Sequence, residues 1–219
     1  DQIFNGAADN AAGVAAVIEL ARRFEQVQTE RSIIFTALTL EESGLLGSAY
    51  LAENPPVDLA NVVAGFNFDR ILPTGKTNDM AVIGYGASEL EDILEAELEK
   101  QGRYINPDPN PEKGYFYRSD HISFAKKGVP VLYADDGFDL EIGGIEKGFN
   151  EIYDYTNYRY HGVDDEYDPS WNLEGFEQTI NTLFNISFEL SNSNDWPNWY
   201  EGNEFREIRD AQLMSKNTP

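Results

Sequence analysis

The sequence predicts one α/β domain with a partly parallel central sheet. Two observations carry this. Segments 32–39, 62–68, 80–83 and 129–133 are continuous apolar and β-branched runs, the pattern of strands covered on both faces. Segments with helical spacing fall between them, the alternation expected of βα units. At 219 residues the chain is long enough to bury a sizeable core.

The elements follow in order. Residues 9–26 form a helix, with Ala12, Ala15, Ala16 and Leu20 at helical spacing and Arg22, Arg23 and Glu25 gathering late. Asp9 and Asn10 stand before it as cap-type residues, so the Asp9 carboxylate lies at a loop-to-helix junction. Strand 32–39 runs straight into Glu41 and Glu42, and 43–53 is helical. Strand 62–68 ends at Asp69. A third strand, 80–83, precedes a charged amphipathic helix at 89–101. Residues 102–117, rich in Pro, Asn, Gly and Tyr, form a loop. A short helix at 121–127 leads into strand 129–133. Segment 134–169, dense in Gly, Asp and Tyr, is irregular. Residues 173–191 close with a helix whose apolar positions are Phe176, Ile180, Leu183, Phe184 and Phe188. Residues 1–194 thus form the body, and 195–219, with Trp196 and Trp199, a tail that docks on it.

Composition excludes several classes. There are 39 acidic and 16 basic residues, a net charge of −23, so nucleic acid and anionic membranes are poor partners. Hydrophobic content of 41% argues against disorder. With no cysteine, disulfides, thiolate metal sites and cysteine nucleophiles are excluded. The apolar runs are too short to span a bilayer.

Ligands of α/β sheets bind at the carboxyl ends of the strands. Those ends are acidic here: Glu41 and Glu42 follow one strand, Asp69 the next, and Asp9 sits at a helix start. Converging carboxylates repel one another unless a cation neutralises them. With His161 added, the donors suit zinc or a neighbouring first-row metal. Taken singly, each residue also fits an ordinary helix start or turn.

Together, five segments resemble the co-catalytic dizinc aminopeptidase family, which includes glutamate carboxypeptidase II and the glutaminyl cyclases. Residues 5–13 (NGAADNAAG) are similar to its G-A-x-D-N-A-S-G element, and 39–48 (TLEESGLLGS) to its E-E-x-G-L-x-G-S element. Residues 66–69 (FNFD) resemble its x-N-x-D strand end. Residues 118–130 (RSDHISFAKKGVP) resemble its S-D-H segment, and Tyr160-His161 with Asp165 its Y-H-x-x-x-D element.

The resemblance implies a three-layer α/β/α zinc-exopeptidase fold with a mixed, largely parallel sheet. It implies Asp9 as the bridge between two zinc ions, Glu42 and His161 as ligands of one, and Asp69 as ligand of the other. Glu41 is implied as general base and Tyr160 as donor to the oxyanion, with Asp165 behind His161 and His121 off the metal. The implied reaction is hydrolysis of a peptide substrate at its terminus, as an aminopeptidase; the alternatives are a mono-zinc cyclase-like acyltransferase and an inactive relative. Family members are commonly exported, so an extracellular or periplasmic location is expected. The family's upstream H-x-D histidine has no counterpart in the eight residues before Asp9. The expectation is therefore that N-terminal strands are missing and that a preceding segment of the same domain fills the sheet between strands 32–39 and 62–68.

Overall fold

The structure, a computed structural model, describes residues 2–216. Four strands, β1 (Gly65–Asn67), β2 (Asp79–Val82), β3 (Tyr104–Pro107) and β4 (Val131–Asp136), form one sheet in the order β1-β4-β2-β3. β1 runs parallel to β4 and β3 parallel to β2, while β2 and β4 are antiparallel. The sheet is mixed and flanked by helices, the α/β architecture expected.

The alternation of side chains along β4 sets the layers. Leu132 and Ala134 face a core built with Leu90, Leu94 and Leu98 of α3 (Leu90–Lys100) and Leu183, Ile186 and Leu190 of α6 (Glu174–Ser191). Tyr133, on the opposite face, packs its ring 5.0 Å from that of His121, in α4 (His121–Ala125). α1 (Ala12–Phe24) lies on α6 through Ala16, Leu20 and Ile180. No described helix is long and apolar enough to cross a membrane.

Several elements differ from expectation. Segment 32–39 is not a strand: among the described residues it forms no strand ladder, and Ile34 and Phe35 are exposed. Its β-branched composition suits a pleated surface, but a strand needs a neighbouring ladder to form. The expected strand 62–68 shrinks to the three residues of β1 for the same reason, because only β4 pairs with it. Segment 102–117 contains β3, anchored by buried Arg103, which donates to the carbonyls of Thr77 (3.0 Å) and Asp79 (2.7 Å).

Segment 134–169, expected to be irregular, contains α5 (Gly144–Tyr158). Its stripe of Ile145, Phe149, Ile152 and Tyr155 has helical spacing that the surrounding Gly, Asp and Tyr disguised. Phe149 stacks on Phe138 at 4.7 Å, and Tyr155 is buried with Ala8 and Leu72. The short helix α2 is Leu46–Glu53. In the tail, α7 (Arg206–Lys216) follows fully buried Trp199, whose Nε1 donates to Gly128 O at 3.1 Å. Residue 1 and residues 217–219 of the expected tail lie outside the described residues.

Candidate metal centre

Asp9 owes its position to two neighbours. The first helix begins at Ala12, not at residue 9, because Asp9 (φ −121°, ψ 87°) and Asn10 (φ −141°, ψ 38°) leave helical geometry. Asn10 explains why: its Nδ2 donates to Phe68 O at 2.8 Å, and its Oδ1 accepts from Gly13 N at 3.0 Å. This ties the start of α1 to the end of β1. Gly13 permits the approach, since a Cβ there would lie 2.8 Å from Phe68 O. Asp165 completes the frame, its two oxygens accepting from Ala8 N and Asp9 N, each at 3.0 Å.

Glu41 and Glu42 sit in a tight loop rather than on a strand end. Glu41 O accepts from Gly44 N (3.0 Å) and Leu45 N (2.8 Å), and Gly47 N closes back on Thr39 O at 3.0 Å. The turn requires positive φ at Leu40 (58°), Gly44 (100°) and Leu45 (60°). Gly47 must be glycine here, because a Cβ would meet Thr39 O at 2.2 Å. Ser48 then links the loop to Ser123 of α4 at 3.0 Å.

Asp69 lies two residues beyond β1. Asn67 donates to Ser119 Oγ at 2.8 Å, and Ser119 passes the chain on, its hydroxyl donating to Asp69 Oδ2 at 2.7 Å. His161 arrives from the turn after α5 with φ 55°, its ring stacked on Tyr160 at 3.8 Å. Its Nε2 stands 3.0 Å from Glu42 Oε1 and 3.2 Å from Asp9 Oδ2.

Donor atoms of Asp9, Glu42 and His161 all lie within 4.8 Å of one another. Glu41, Asp69 and Tyr160 line the same cleft, of about 380 Å³, outside that group of three. Asp9 Oδ2 is buried and has no hydrogen-bond partner. Burial, then the charges of Asp69 and Glu42, push the Asp9 carboxyl up to about 6. The same causes, burial first and then Asp69, hold Glu41 at about 7. Burial also raises Asp69, against the Ser119 hydroxyl, which lowers it. A cation in the cleft would relieve all three. An orphaned carboxylate oxygen between an imidazole and a second carboxylate is a donor set that fits zinc.

The placement of Asp165 departs from the sequence reading. Asp165 does not orient His161; besides the two amides, it accepts from the Tyr155 hydroxyl at 3.2 Å. His121 does not line the cleft; it is buried between Phe116 (4.8 Å) and Tyr133, and burial pushes it down to about 4. Sequence reasoning missed Arg70, whose side chain lines the cleft beside Asp69, and the linking roles of Asn10 and Asn67. The Asn-Gly pair spaced around Asp9 was the available signal for Asn10.

Comparisons with known proteins give the chain's family and fold. The sequence profile of Peptidase family M28 matches residues 1–185. A probable zinc metalloprotease of Phaeosphaeria nodorum is 40% identical over 168 residues, covering 73% of this chain and 33% of that protein. Leucine aminopeptidase 2 of Trichophyton equinum is 27% identical over 136 residues, 58% of this chain and 26% of that protein. Among solved structures, the aminopeptidase from Aneurinibacillus sp. strain AM-1 superposes with a TM-score of 0.63 at 21% identity. That match covers 87% of this chain and 41% of the other, and it speaks to the fold alone. This chain spans about a third or less of the length of the curated relatives it matches.

Proposed function

This chain belongs to peptidase family M28, and from that premise we propose that it carries the carboxylate half of a zinc exopeptidase site acting as an aminopeptidase. The observation that carries this reading is the Asp9–Glu42–His161 group, with its buried, unbonded Asp9 oxygen. Asp9 would bridge two ions, Glu42 and His161 would hold one, and Asp69 the other. Bound there, zinc supplies Lewis-acid polarisation of the scissile carbonyl and acidifies the attacking water.

The remaining chemistry belongs to the chain. Glu41, held near neutrality by burial and by Asp69, can take a proton on its carboxylate and return it to the leaving amine. Burial, with Asp9 and Glu42 nearby, pushes the Tyr160 phenol up to about 12, so it keeps its proton and can donate to a developing oxyanion.

The position beside Asp69 needs another donor. The chain has two histidines, His161 in the cleft and His121 buried in α4. The reading therefore assigns the missing imidazole to a segment outside this chain. Ile18, Ile34 and Phe35 offer exposed apolar surface on which it would dock.

The test pairs metal analysis with two assays on the purified chain, with and without the preceding segment supplied in trans. We expect one zinc per chain alone and two with the segment, together with hydrolysis of aminoacyl-p-nitroanilides. Cyclisation of a glutamine-initiated peptide without hydrolysis would replace the aminopeptidase reading by the acyltransferase one. Two tightly held zinc ions in the isolated chain would overturn the missing donor.

A further inference from the structure

Tyr115 has two cations over its ring. The Arg118 guanidinium carbon lies 5.5 Å and Lys113 Nζ 5.8 Å from the ring centroid. Arg70 reaches the same place from the sheet, one residue beyond Asp69. Arg70 and Tyr115 line both the metal cleft and a smaller adjoining cavity of about 60 Å³. Arg118 lines the larger space and Lys113 the smaller. Three of the chain's 16 basic residues thus gather around one ring in a protein of net charge −23.

Lys113 and Arg118 are uncommitted, whereas Arg70 faces the buried Asp135. Among the described residues the side-chain nitrogens of all three make no hydrogen bond, and their one ion pair, Arg70 Nη2 to Asp135 Oδ2, is long at 3.6 Å. Stacking on Tyr115 uses the face of a guanidinium and leaves its in-plane donors free. The carboxylates around the smaller cavity are partly engaged, with Asp136 Oδ2 left without a partner. Asp135 faces Arg70, Asp108 accepts from Asn110 N at 2.8 Å, and Asp136 accepts from the Thr179 hydroxyl. What Lys113 and Arg118 still offer an incoming group beside Tyr115 is positive charge with free N–H donors.

We propose that this cluster is a carboxylate-binding subsite of the cleft, so that substrates are peptides presenting an anionic carboxylate to the Tyr115 side. This rests on the peptidase reading and names its substrate class. The carboxylate comes either from an acidic side chain or from the α-carboxyl end of a very short peptide. Both offer the planar pair of oxygens that a guanidinium fork matches.

The experiment is equilibrium binding by calorimetry, with and without zinc, which needs no turnover. Glutamic acid α-amide carries only the side-chain carboxylate, leucine only the α-carboxylate, and leucinamide neither. We expect one of the first two to bind about 10-fold or more tighter than leucinamide, as a charge-assisted pair implies. Which one does so identifies the source. Arg118→Gln and Lys113→Gln, at exposed side chains, should erase the preference while the melting temperature holds. Equal binding of all three compounds, or a preference that survives both substitutions, overturns the subsite. A carboxylate preference without hydrolysis of any peptide would instead count against the peptidase reading and leave the subsite standing.

Discussion

The Asp165 carboxylate accepts the backbone N–H of Asp9 at 3.0 Å, so one acid fixes the chain that carries another. Its second oxygen takes Ala8 N, and the Tyr155 hydroxyl donates to the oxygen that holds Asp9. This couples the turn before α1 to the turn after His161, two segments more than 150 residues apart in sequence.

Asp165→Asn should therefore act on the metal through Asp9. Zinc affinity, read by competition with a chelator, should fall about 10–100-fold, as loss of a supporting hydrogen bond does. Asp165→Ala should in addition destabilise the fold, since each buried donor left unpaired costs about 1–3 kcal/mol. Urea unfolding measures that part. An unchanged zinc affinity in the Asn variant would remove Asp165 from the site.

Glu41 and Glu42 are neighbours with different surroundings, and their substitutions should separate. Glu41→Gln should keep zinc and lower kcat by about 10²–10⁴-fold, the usual contribution of a positioned base. Glu42→Gln should lose zinc first. Metal loss in the Glu41 variant with retention in the Glu42 variant would reverse the two roles.

The histidines separate in the same way. His161→Ala removes the imidazole 3.0 Å from Glu42 and should abolish tight zinc binding. His121→Ala should leave zinc content unchanged and lower stability, because it empties a packed site between Phe116 and Tyr133. Equal metal loss in both variants would contradict the geometry.

Asp136, outside the Asp9–Glu42–His161 group, provides a pH test. Burial lifts its carboxyl from the ordinary 3.8 to about 6, against the Thr179 hydroxyl and the Arg103 charge, and its Oδ2 has no partner. Below about pH 4 both folded and unfolded chains hold the proton, and burial carries no ionic penalty. Between about 4 and 6 the unfolded chain ionises first, so stability falls as pH rises; above about 6 the penalty is constant. Asp136→Asn keeps an acceptor for Thr179 and should stabilise the fold at pH 7 by up to about 3 kcal/mol. The gain should vanish by about pH 4 in denaturant titrations. A gain independent of pH would show that the carboxyl is not responsible.

Much of the site was legible because its chemistry is local in sequence. Asp9-Asn10 with Gly13, the Glu41-Glu42 pair with Gly44 and Gly47, and Tyr160-His161 each sit in a turn that their own residues build. The helices α3 and α6 were equally legible, since Leu90, Leu94 and Leu98 or Ile180, Leu183 and Ile186 announce a buried face by spacing alone. β3 and α5 were hidden because Pro, Asn, Gly and Asp mark turns by composition, while burial of Ile105 and Tyr155 depends on elements far along the chain.

The sequence by itself determined the α/β class, the acidic donors at the ends of its segments, and the family to which they correspond. Only the tertiary structure decided that segment 32–39 stays unpaired, that Asp165 holds Asp9 rather than His161, and that Arg70, Lys113 and Arg118 meet at Tyr115. The physical reason is the range of the interactions. Helical periodicity and turn chemistry act over a few residues, whereas a strand ladder, a buried hydrogen bond and a charge cluster exist only once distant segments are brought within a few ångströms.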